Sequence, residues 1–470
     1  MLAAMRRLVV LAILGAASAA DAGVVDVSTP AELTAAIESA APGDEIVLAD
    51  GTYALTGATC SAVGTAAEPI VVRAANPLGA KIEFDGLEGF KVTGAHWHFE
   101  DLDVRGVCAN DSDCEHAFHV MGAADGFVLR GSRVADFNAQ LKVNASKIGD
   151  TYVMPNNGLV EYNDVGDTRG RDTGNPVTKL NIDTGNDWIV RGNYLHDAYK
   201  LGGDGISYAA FMKSGGARGL FERNLVVCAK NTTGGTRIGL SFGGGGTAPQ
   251  FCAPAYDANT PCSVEHEGGT MRNNIIASCS DVGIYLNKGH DSHILFNTLI
   301  ATSGVDFRFA TTSGEAVGNL LGSVIRTRDG GTMTETGNQM NVDLAQFEAW
   351  YRAPAEGDLA VVGDVSSLVG AAPMRDDVTD DYCAAPRPAG ALAMGALEHS
   401  VPTCDTTRPP MGTPTDPGDG DGAPGGDAGT GNPDSDGSGD GGGCCQAPGR
   451  PEALPVLVVA LLLVRRRRAA

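Results

Sequence analysis

Short runs in which apolar and polar residues alternate recur through the middle of the chain. Examples are GLVEYN at 158–163, WIVRGN at 188–193, GIYLN at 283–287 and HILFN at 293–297. Alternation with a period of two is typical of β-strands, and an asparagine ends each of these runs. Strands this short are not stable as isolated hairpins, so the pattern predicts rungs that stack on one another at about 4.8 Å.

An asparagine followed by aliphatic residues marks a longer repeat. The repeated asparagines are Asn163, Asn193, Asn224, Asn274, Asn297 and Asn319. Their separations are 30, 31, 50, 23 and 22 residues, and a repeat of this length predicts a solenoid. The asparagines either form a ladder of side-chain amides or simply mark turns, and both interpretations predict the same fold. The interval of 50 is either two turns or one turn that carries a long loop.

The sequence at the start of the predicted solenoid predicts a helix. In STPAELTAAIESAAPGDEIVL, Thr29 is a candidate N-cap, Pro30 suits the first helical position and Glu32 closes a capping box. Leu33 and Ile37 belong to an apolar stripe at helical spacing. We expect this helix to cover the open first rung, whose backbone would otherwise lack partners.

This opening and the asparagine repeats together resemble the secreted right-handed parallel β-helix proteins. The resemblance implies an all-β fold over 23–400, a right-handed, single-stranded parallel β-helix with an N-terminal capping helix.

Both ends of the chain have other signatures. Residues 1–22 carry Arg6 and Arg7, then an apolar stretch and small residues, which is typical of an export signal. Residues 401–452 are rich in Gly, Asp and Pro and predict a disordered linker. In 453–470 a short apolar run precedes four arginines, which predicts a short transmembrane segment.

The C-terminal tail resembles the myxobacterial C-terminal sorting signal, in which a cysteine motif precedes a short transmembrane helix and a basic end. The resemblance implies export and then anchoring or processing at the cell surface by a sorting machinery. Cys444 and Cys445 are both candidates for the motif cysteine.

Composition narrows the class of partner. The chain has 64 glycines and only 6% aromatic residues, which suits short strands joined by tight turns. Its formal net charge of −23 argues against nucleic acid as a partner. An acidic ligand would need a local basic patch or a bound cation. We expect a monomer.

Eleven cysteines fit an exported protein. Cys108 and Cys114 flank a short loop, as do Cys252 and Cys262, and both pairs predict disulfides. Zinc binding is the alternative, but the cysteines lack zinc-finger spacing. Cys228 with Cys279, and Cys383 with Cys404, are further candidate pairs.

The chain opening and the region FMKSGGARGLFERN resemble polysaccharide lyase family six, the chondroitinase B and alginate lyase group. In that family a lysine acts as base and an arginine on a neighbouring coil assists. The resemblance assigns these roles to Lys213 and Arg237. Arg218, in the same segment as Lys213, is a further candidate for substrate binding. Lys213 and Arg237 are 24 residues apart, close to one turn, so we expect them to project into one groove.

The same resemblance implies calcium, which in that family is held by carboxylates just upstream of the lysine. Here the upstream stretch GGDGISYAAF contains a single acid, Asp204. Glu265 and Glu267 in SVEHEGG are the other candidates, because alternation would place both on one side of a strand with His266 opposite.

Three functions stay open at this point. The first is cleavage of an acidic polysaccharide by β-elimination. The second is polysaccharide binding or adhesion without catalysis, which a β-helix on an anchored stalk would also serve. The third is glycoside hydrolysis, although no tight pair of aspartates is visible on one motif.

Overall fold

Three long parallel sheets are formed by strands between residues 24 and 336. The structure is a computed structural model. It describes residues 23–244, 247–401 and 404–407. Each turn of chain contributes one strand to each sheet in the same order, so strands that are neighbours in space are separated by a whole turn in sequence. The predicted parallel β-helix is confirmed.

Sheet 1 has twelve strands: Val24–Val27, Glu45–Leu48, Ile70–Ala74, Trp97–Glu100, Val128–Arg130, Leu159–Glu161, Ile189–Arg191, Leu220–Glu222, Thr270–Arg272, Ser292–Leu295, Gly314–Val317 and Thr334–Thr336. Sheet 2 has ten: Gly51–Leu55, Ala80–Phe84, Asp103–Gly106, Arg133–Ala135, Asp164–Gly166, Tyr194–His196, Leu225–Val227, Ile275–Ala277, Thr298–Ile300 and Leu320–Leu321. Sheet 3 also has ten: Ala58–Cys60, Glu88–Val92, His116–Met121, Ala139–Asn144, Val177–Asp183, Ile206–Lys213, Thr236–Phe242, Ile284–Asn287, Val305–Arg308 and Ile325–Arg328.

Shorter strands and helices lie outside the three long sheets. A small parallel sheet joins Gly216–Ala217, His266–Glu267 and Gly289–His290. Antiparallel pairs join Ser146–Ile148 to Thr151–Val153, and Tyr351–Ala353 to Asp358–Val361. The α-helices are Pro30–Ser39 and Leu344–Trp350, and the 3₁₀ turns are Asp111–Asp113, Pro249–Phe251, Pro354–Glu356 and Ser366–Leu368.

The capping helix forms as predicted. The hydroxyl of Thr29 accepts from the Glu32 amide at 3.2 Å, and the Glu32 carboxylate accepts from the Thr29 amide at 3.0 Å. Leu33 and Ile37 are buried against the first coil and join the core. The helix therefore covers the end of the core, as expected.

Asparagine side chains connect sheet 1 to sheet 2 at every turn from Asn163 onward. The amide nitrogen of each side chain donates to the side-chain oxygen of the next asparagine, for example Asn193 to Asn224 at 3.1 Å. It also donates to a backbone carbonyl, in this case that of Val160 at 2.8 Å. The ladder extends one rung beyond the predicted set, to Asn338.

The interval of 50 residues is one turn with an insertion. Strand Leu220–Glu222 pairs directly with Thr270–Arg272, and the intervening chain carries the disulfide loop Cys252–Cys262. Both predicted disulfides are confirmed, as are the two further candidate pairs. Cys60 is buried and unpaired.

Some predictions fall outside the described residues. These are the signal peptide 1–22, most of the linker 401–452 and the tail 453–470 with Cys444 and Cys445. Within the described ranges, no helix has the length and apolar character needed to cross a bilayer.

Candidate active site

Polar side chains form a row where three consecutive strands of sheet 3 end. Asn144, Asp183 and Lys213 pair in register as the last residues of their strands. The residue before each of them is buried in the core. Alternation along the strand therefore directs this row to the outside of the β-helix.

Two ammonium groups converge on one carboxylate in this row. The Nζ atom of Lys142 lies 2.9 Å from Oδ2 of Asp183 and 3.1 Å from the side-chain oxygen of Asn181. The Nζ atom of Lys213 lies 3.8 Å from the same Oδ2 atom and 4.5 Å from the ring centre of Phe211. One carboxylate oxygen thus lies close to two ammonium groups.

Ser214 connects this cluster to a second carboxylate. Its hydroxyl donates to Asp183, and its backbone amide donates to Oε2 of Glu265 at 3.0 Å. Ser214 adopts a left-handed backbone conformation with φ of 55°, which turns the chain sharply after Lys213. The turn lets one residue contact both carboxylates.

The pKa values of the two carboxyl groups are shifted in opposite directions. Burial acts to raise the pKa of Asp183, but the ammonium groups of Lys142 and Lys213 outweigh it and lower that pKa. For Glu265 burial dominates and raises the pKa to about 7, although the Ser214 amide acts to lower it. Near neutral pH the cluster therefore holds one ionised and one partly protonated carboxyl group.

Chain segments outside the three sheets cover the cluster. The backbone amide of Ala248 donates to the Ser214 hydroxyl at 3.0 Å. Nearby, the rings of Phe251 and Tyr152 lie with their centres 4.9 Å apart. The residues just before the disulfide loop Cys252–Cys262 thus contact the hairpin Ser146–Val153. Lys213 is only 3% exposed as a result.

Arg237 does not join Lys213, contrary to the expectation of a shared groove. It pairs in register with Ser207, six residues before Lys213, because this turn is 30 residues long and not 24. Six strand residues span about 20 Å. The guanidinium donates to the carbonyl of Cys228 at 2.6 Å and lies 4.4 Å from the ring centre of Tyr199, so it anchors a loop.

The predicted substrate-binding residue Arg218 is also engaged. Its guanidinium forms two hydrogen bonds of 2.7 Å with the carboxylate of Asp187, one turn earlier. The side chain is 47% exposed, so this pair lies at the surface.

The three candidate calcium ligands lie in different surroundings. Asp204 is exposed and pairs with Lys200 at 2.9 Å. Glu267 is exposed and bonds His290 at 2.8 Å, whereas Glu265 is buried beside Lys213. The expectation that both glutamates share one side is wrong, because Glu265 precedes the short strand His266–Glu267 and does not follow its alternation.

Sequence reasoning did not assign a role to Lys142, Asp183 or Ser214. Lys142 and Asp183 lie on adjacent strands of sheet 3 but are 41 residues apart in sequence, and no short motif connects them. Ser214 directly follows the predicted base and was visible only as part of a glycine-rich turn.

A basic patch lies on the later strands of the same sheet. Arg326 and Arg328 both bind Asp306, at 2.5 and 2.6 Å, and Arg308 binds Asp329 at 2.6 Å. The three arginine side chains are each 33–40% exposed. The patch carries three positive charges against two negative ones in a chain that is strongly acidic overall.

The first part of the chain is similar to a known family. Residues 27–122 match the family model described as Chondroitinase B, a segment that ends before Lys142 and Lys213. No curated protein matches the chain.

Among solved structures, the pectate lyase Pel9A has the same fold. It is 13% identical, with a TM-score of 0.53, and the alignment covers 80% of this chain and 96% of that one. A mannuronic acid specific family 6 lyase from human gut microbiota is 18% identical over 67% of both chains, with a TM-score of 0.42. An alginate lyase from Paenibacillus sp. str. FPU-7 is 15% identical over 68% of this chain and 99% of that one, with a TM-score of 0.37.

Proposed function

We propose that this protein acts on an acidic polysaccharide by β-elimination, with Lys213 as the base. The observation that carries the proposal is the cluster where three middle strands of sheet 3 end, in which the ammonium groups of Lys142 and Lys213 lie 2.9 and 3.8 Å from the Asp183 carboxylate. Two lysine side chains on the outward row of a rigid sheet suit a polyanionic chain.

Elimination needs a base and a positive charge near the developing enolate. In its neutral form Lys213 removes the proton on the carbon next to a uronate carboxylate. The electron pair of that C–H bond forms a C=C bond, and the bond to the linked sugar oxygen breaks. The oxygen takes up a proton from solvent, and Lys213 later returns the captured proton to solvent. The products are one unsaturated sugar end and one new hydroxyl group. Lys142 stays charged and stabilises the enolate.

Further features support this class of substrate. The arginine patch at Arg308, Arg326 and Arg328 supplies the local basic surface that an acidic ligand requires. It lies three to four strands from Lys213 on the same sheet, a separation of about 14–19 Å, so one extended polymer would reach both. The match to the Chondroitinase B model over 27–122 also favours this class.

Binding without catalysis is the second candidate, and one observation favours it. Lys213 is 3% exposed and lies beside a buried carboxylate, which is the environment of a fixed structural cation. In that case the sheet 3 face holds a polysaccharide and changes no bond in it.

We also propose that the protein is exported and held at the cell surface by its C-terminal tail. Four disulfides support an oxidising location. Protease added to intact cells should remove the protein, and substitution of both Cys444 and Cys445 by alanine should change its release into the medium. Protein that resists the protease would contradict this proposal.

The activity is tested with alginate, chondroitin, heparin-like and pectic polymers, each with and without calcium. Ultraviolet absorbance detects unsaturated sugar ends, and a reducing-end assay detects cleavage of any kind. We expect absorbance from the native protein on one polymer class and its loss in Lys213→Ala.

Lys230→Ala is the matched control, because Lys230 pairs with Glu356 far from the cluster and should keep full activity. Reducing ends without absorbance would indicate a hydrolase. Saturable binding with neither signal would favour the binding protein over the lyase.

A further inference from the structure

A second polar cluster on sheet 3 involves two histidines and one glutamate. Glu88 and His116 begin adjacent strands and pair in register, and His119 follows three residues later. Oε1 of Glu88 lies 2.8 Å from Nδ1 of His119 and 3.5 Å from Nδ1 of His116. One carboxylate oxygen thus faces two imidazole nitrogens.

Strand alternation alone would place residues 116 and 119 on opposite faces of the sheet. Here the backbone is irregular at the start of the strand, because the amides of Glu115 and His116 both donate to the carbonyl of Leu87, at 3.0 and 3.1 Å. The two imidazole rings lie on the same side, with their centres 4.7 Å apart.

One ring nitrogen of this cluster lacks a hydrogen-bond partner among the described residues. Nε2 of His119 lies 3.0 Å from the side-chain oxygen of Asn144, and its Nδ1 atom lies 2.8 Å from Oε1 of Glu88. The Nδ1 atom of His116 is buried and has no hydrogen-bond partner in the described part of the chain. A cation between this atom and the Glu88 carboxylate would supply the missing partner.

The charges around the cluster are few and mostly engaged. Glu115 lies 3.9 Å from Nε2 of His116. Lys142 stands on the next strand, in register with His119, but its ammonium group is held by Asp183. Lys91 is the register partner of His119 on the preceding strand and is exposed.

We propose that Glu88, His116 and His119 form a binding site for a divalent transition-metal ion, with Zn²⁺ the ion that fits these donors best. The three ligand atoms lie within 4.8 Å of one another, so a small closure brings them onto one ion. Two imidazoles and one carboxylate are an established Zn²⁺ donor set, which leaves the fourth position for water or another oxygen ligand.

The surrounding residues suit this role. The hydrogen bond from Nε2 of His119 to Asn144 fixes the ring so that Nδ1 is the ligand, as outer partners commonly do in metal sites. The side chains of the three ligands are 11–26% exposed, so an ion has a path from solvent. The site does not depend on catalysis by Lys213 and would stand if the proposed function failed.

The test is titration of the purified full-length protein with Zn²⁺ by calorimetry, after chelator treatment and with an affinity tag that lacks histidine. We expect one Zn²⁺ per chain. His116→Ala, His119→Ala and Glu88→Gln should each weaken binding at least about tenfold.

His290→Ala and His293→Ala are matched controls, because each of these histidines has a single carboxylate partner at 2.8 Å and no second histidine. Both should bind Zn²⁺ like the native protein. Circular dichroism and the melting temperature establish that each variant is folded, and the visible spectrum of the native protein with Co²⁺ reports nitrogen and oxygen donors independently of any variant.

A native protein that binds no Zn²⁺ overturns the proposal. So does a site whose affinity is unchanged in all three ligand variants, or one that is weakened equally in the two control variants.

Discussion

Sheet 1 and sheet 3 both stack charged side chains, but they balance them differently. On sheet 1 arginine and glutamate alternate in register along seven consecutive strands: Arg73, Glu100, Arg130, Glu161, Arg191, Glu222 and Arg272. On sheet 3 Lys142 and Lys213 both lie close to Asp183. Burial is the largest influence on the pKa of Glu265, which lies beside them. Balanced charge stabilises the rod, whereas unbalanced charge leaves groups that can react or bind.

Two buried glutamates make the contrast measurable. Burial acts to raise the pKa of Glu222, but Arg272, Arg223 and Arg191 outweigh it and lower that pKa. Burial raises the pKa of Glu265 to about 7. The same side chain therefore stabilises the fold at neutral pH in the ladder and destabilises it in the cluster.

The largest expected effect is the removal of a central ladder charge. Glu161 lies between Arg130 at 2.7 Å and Arg191 at 3.0 Å and is fully buried. Glu161→Ala leaves both arginines without this partner and should lower the free energy of unfolding by about 3–5 kcal/mol.

Urea unfolding of this variant is compared with that of Glu267→Ala, which removes an exposed partner of His290. The control should change the unfolding free energy by less than about 0.5 kcal/mol. Equal effects in the two variants would remove the distinction between the buried ladder and the surface.

The next largest effect is on the pH dependence of stability, to which Glu265 and Glu222 contribute with opposite signs. Its folded-state pKa of about 7 lies above the reference value of 4.5, so the native protein loses stability as pH rises from 4.5 to 7. The loss is up to about 3 kcal/mol. Glu265→Gln should therefore gain stability over the native protein as pH rises from 5 to 8, as measured by urea unfolding at each pH.

Glu222→Gln is the counterpart. The pKa of Glu222 is lowered, so its contribution is present above 4.5 and is lost as pH falls below that value. This variant should be less stable than the native protein at pH 7, and the difference should shrink in acid. Parallel pH profiles for the two variants would contradict the contrast.

A smaller loss of stability is expected when one asparagine of the side-chain amide ladder is replaced. Asn224 accepts from the backbone and side chain of Asn193, both at 3.1 Å, and donates to the Val190 carbonyl at 2.9 Å. Asn224→Ala leaves these buried groups unpaired and should cost about 2 kcal/mol of unfolding free energy. Asn259→Ala, in the exposed loop, serves as its control, and a loss no larger than in that variant would exclude a ladder of hydrogen bonds.

The fold was predictable because its signals are local and periodic. Short alternating runs, asparagines at turns and the Thr29 capping box each report on a few neighbouring residues. Asn338 escaped detection because GNQM lacks the aliphatic residues that follow the other asparagines. The charge ladder is visible in the same repeats, as an arginine or glutamate two residues before four of the asparagines.

The site was less predictable because it depends on register between turns of unequal length. Lys213 was identified from its motif, but Arg237 was paired with it from a separation of 24 where the local turn is 30. Glu88 and His119 lie 31 residues apart, and His116 joins them only through an irregular strand start. A sequence period does not specify such departures.

The measurement that tests the central claim most directly is the elimination activity of Lys213→Arg. Arginine keeps the positive charge beside Asp183 but does not lose its proton in a protein. If Lys213 is the base, this variant should bind the polymer that the native protein cleaves and release no unsaturated ends. Activity equal to that of the native protein would contradict the account.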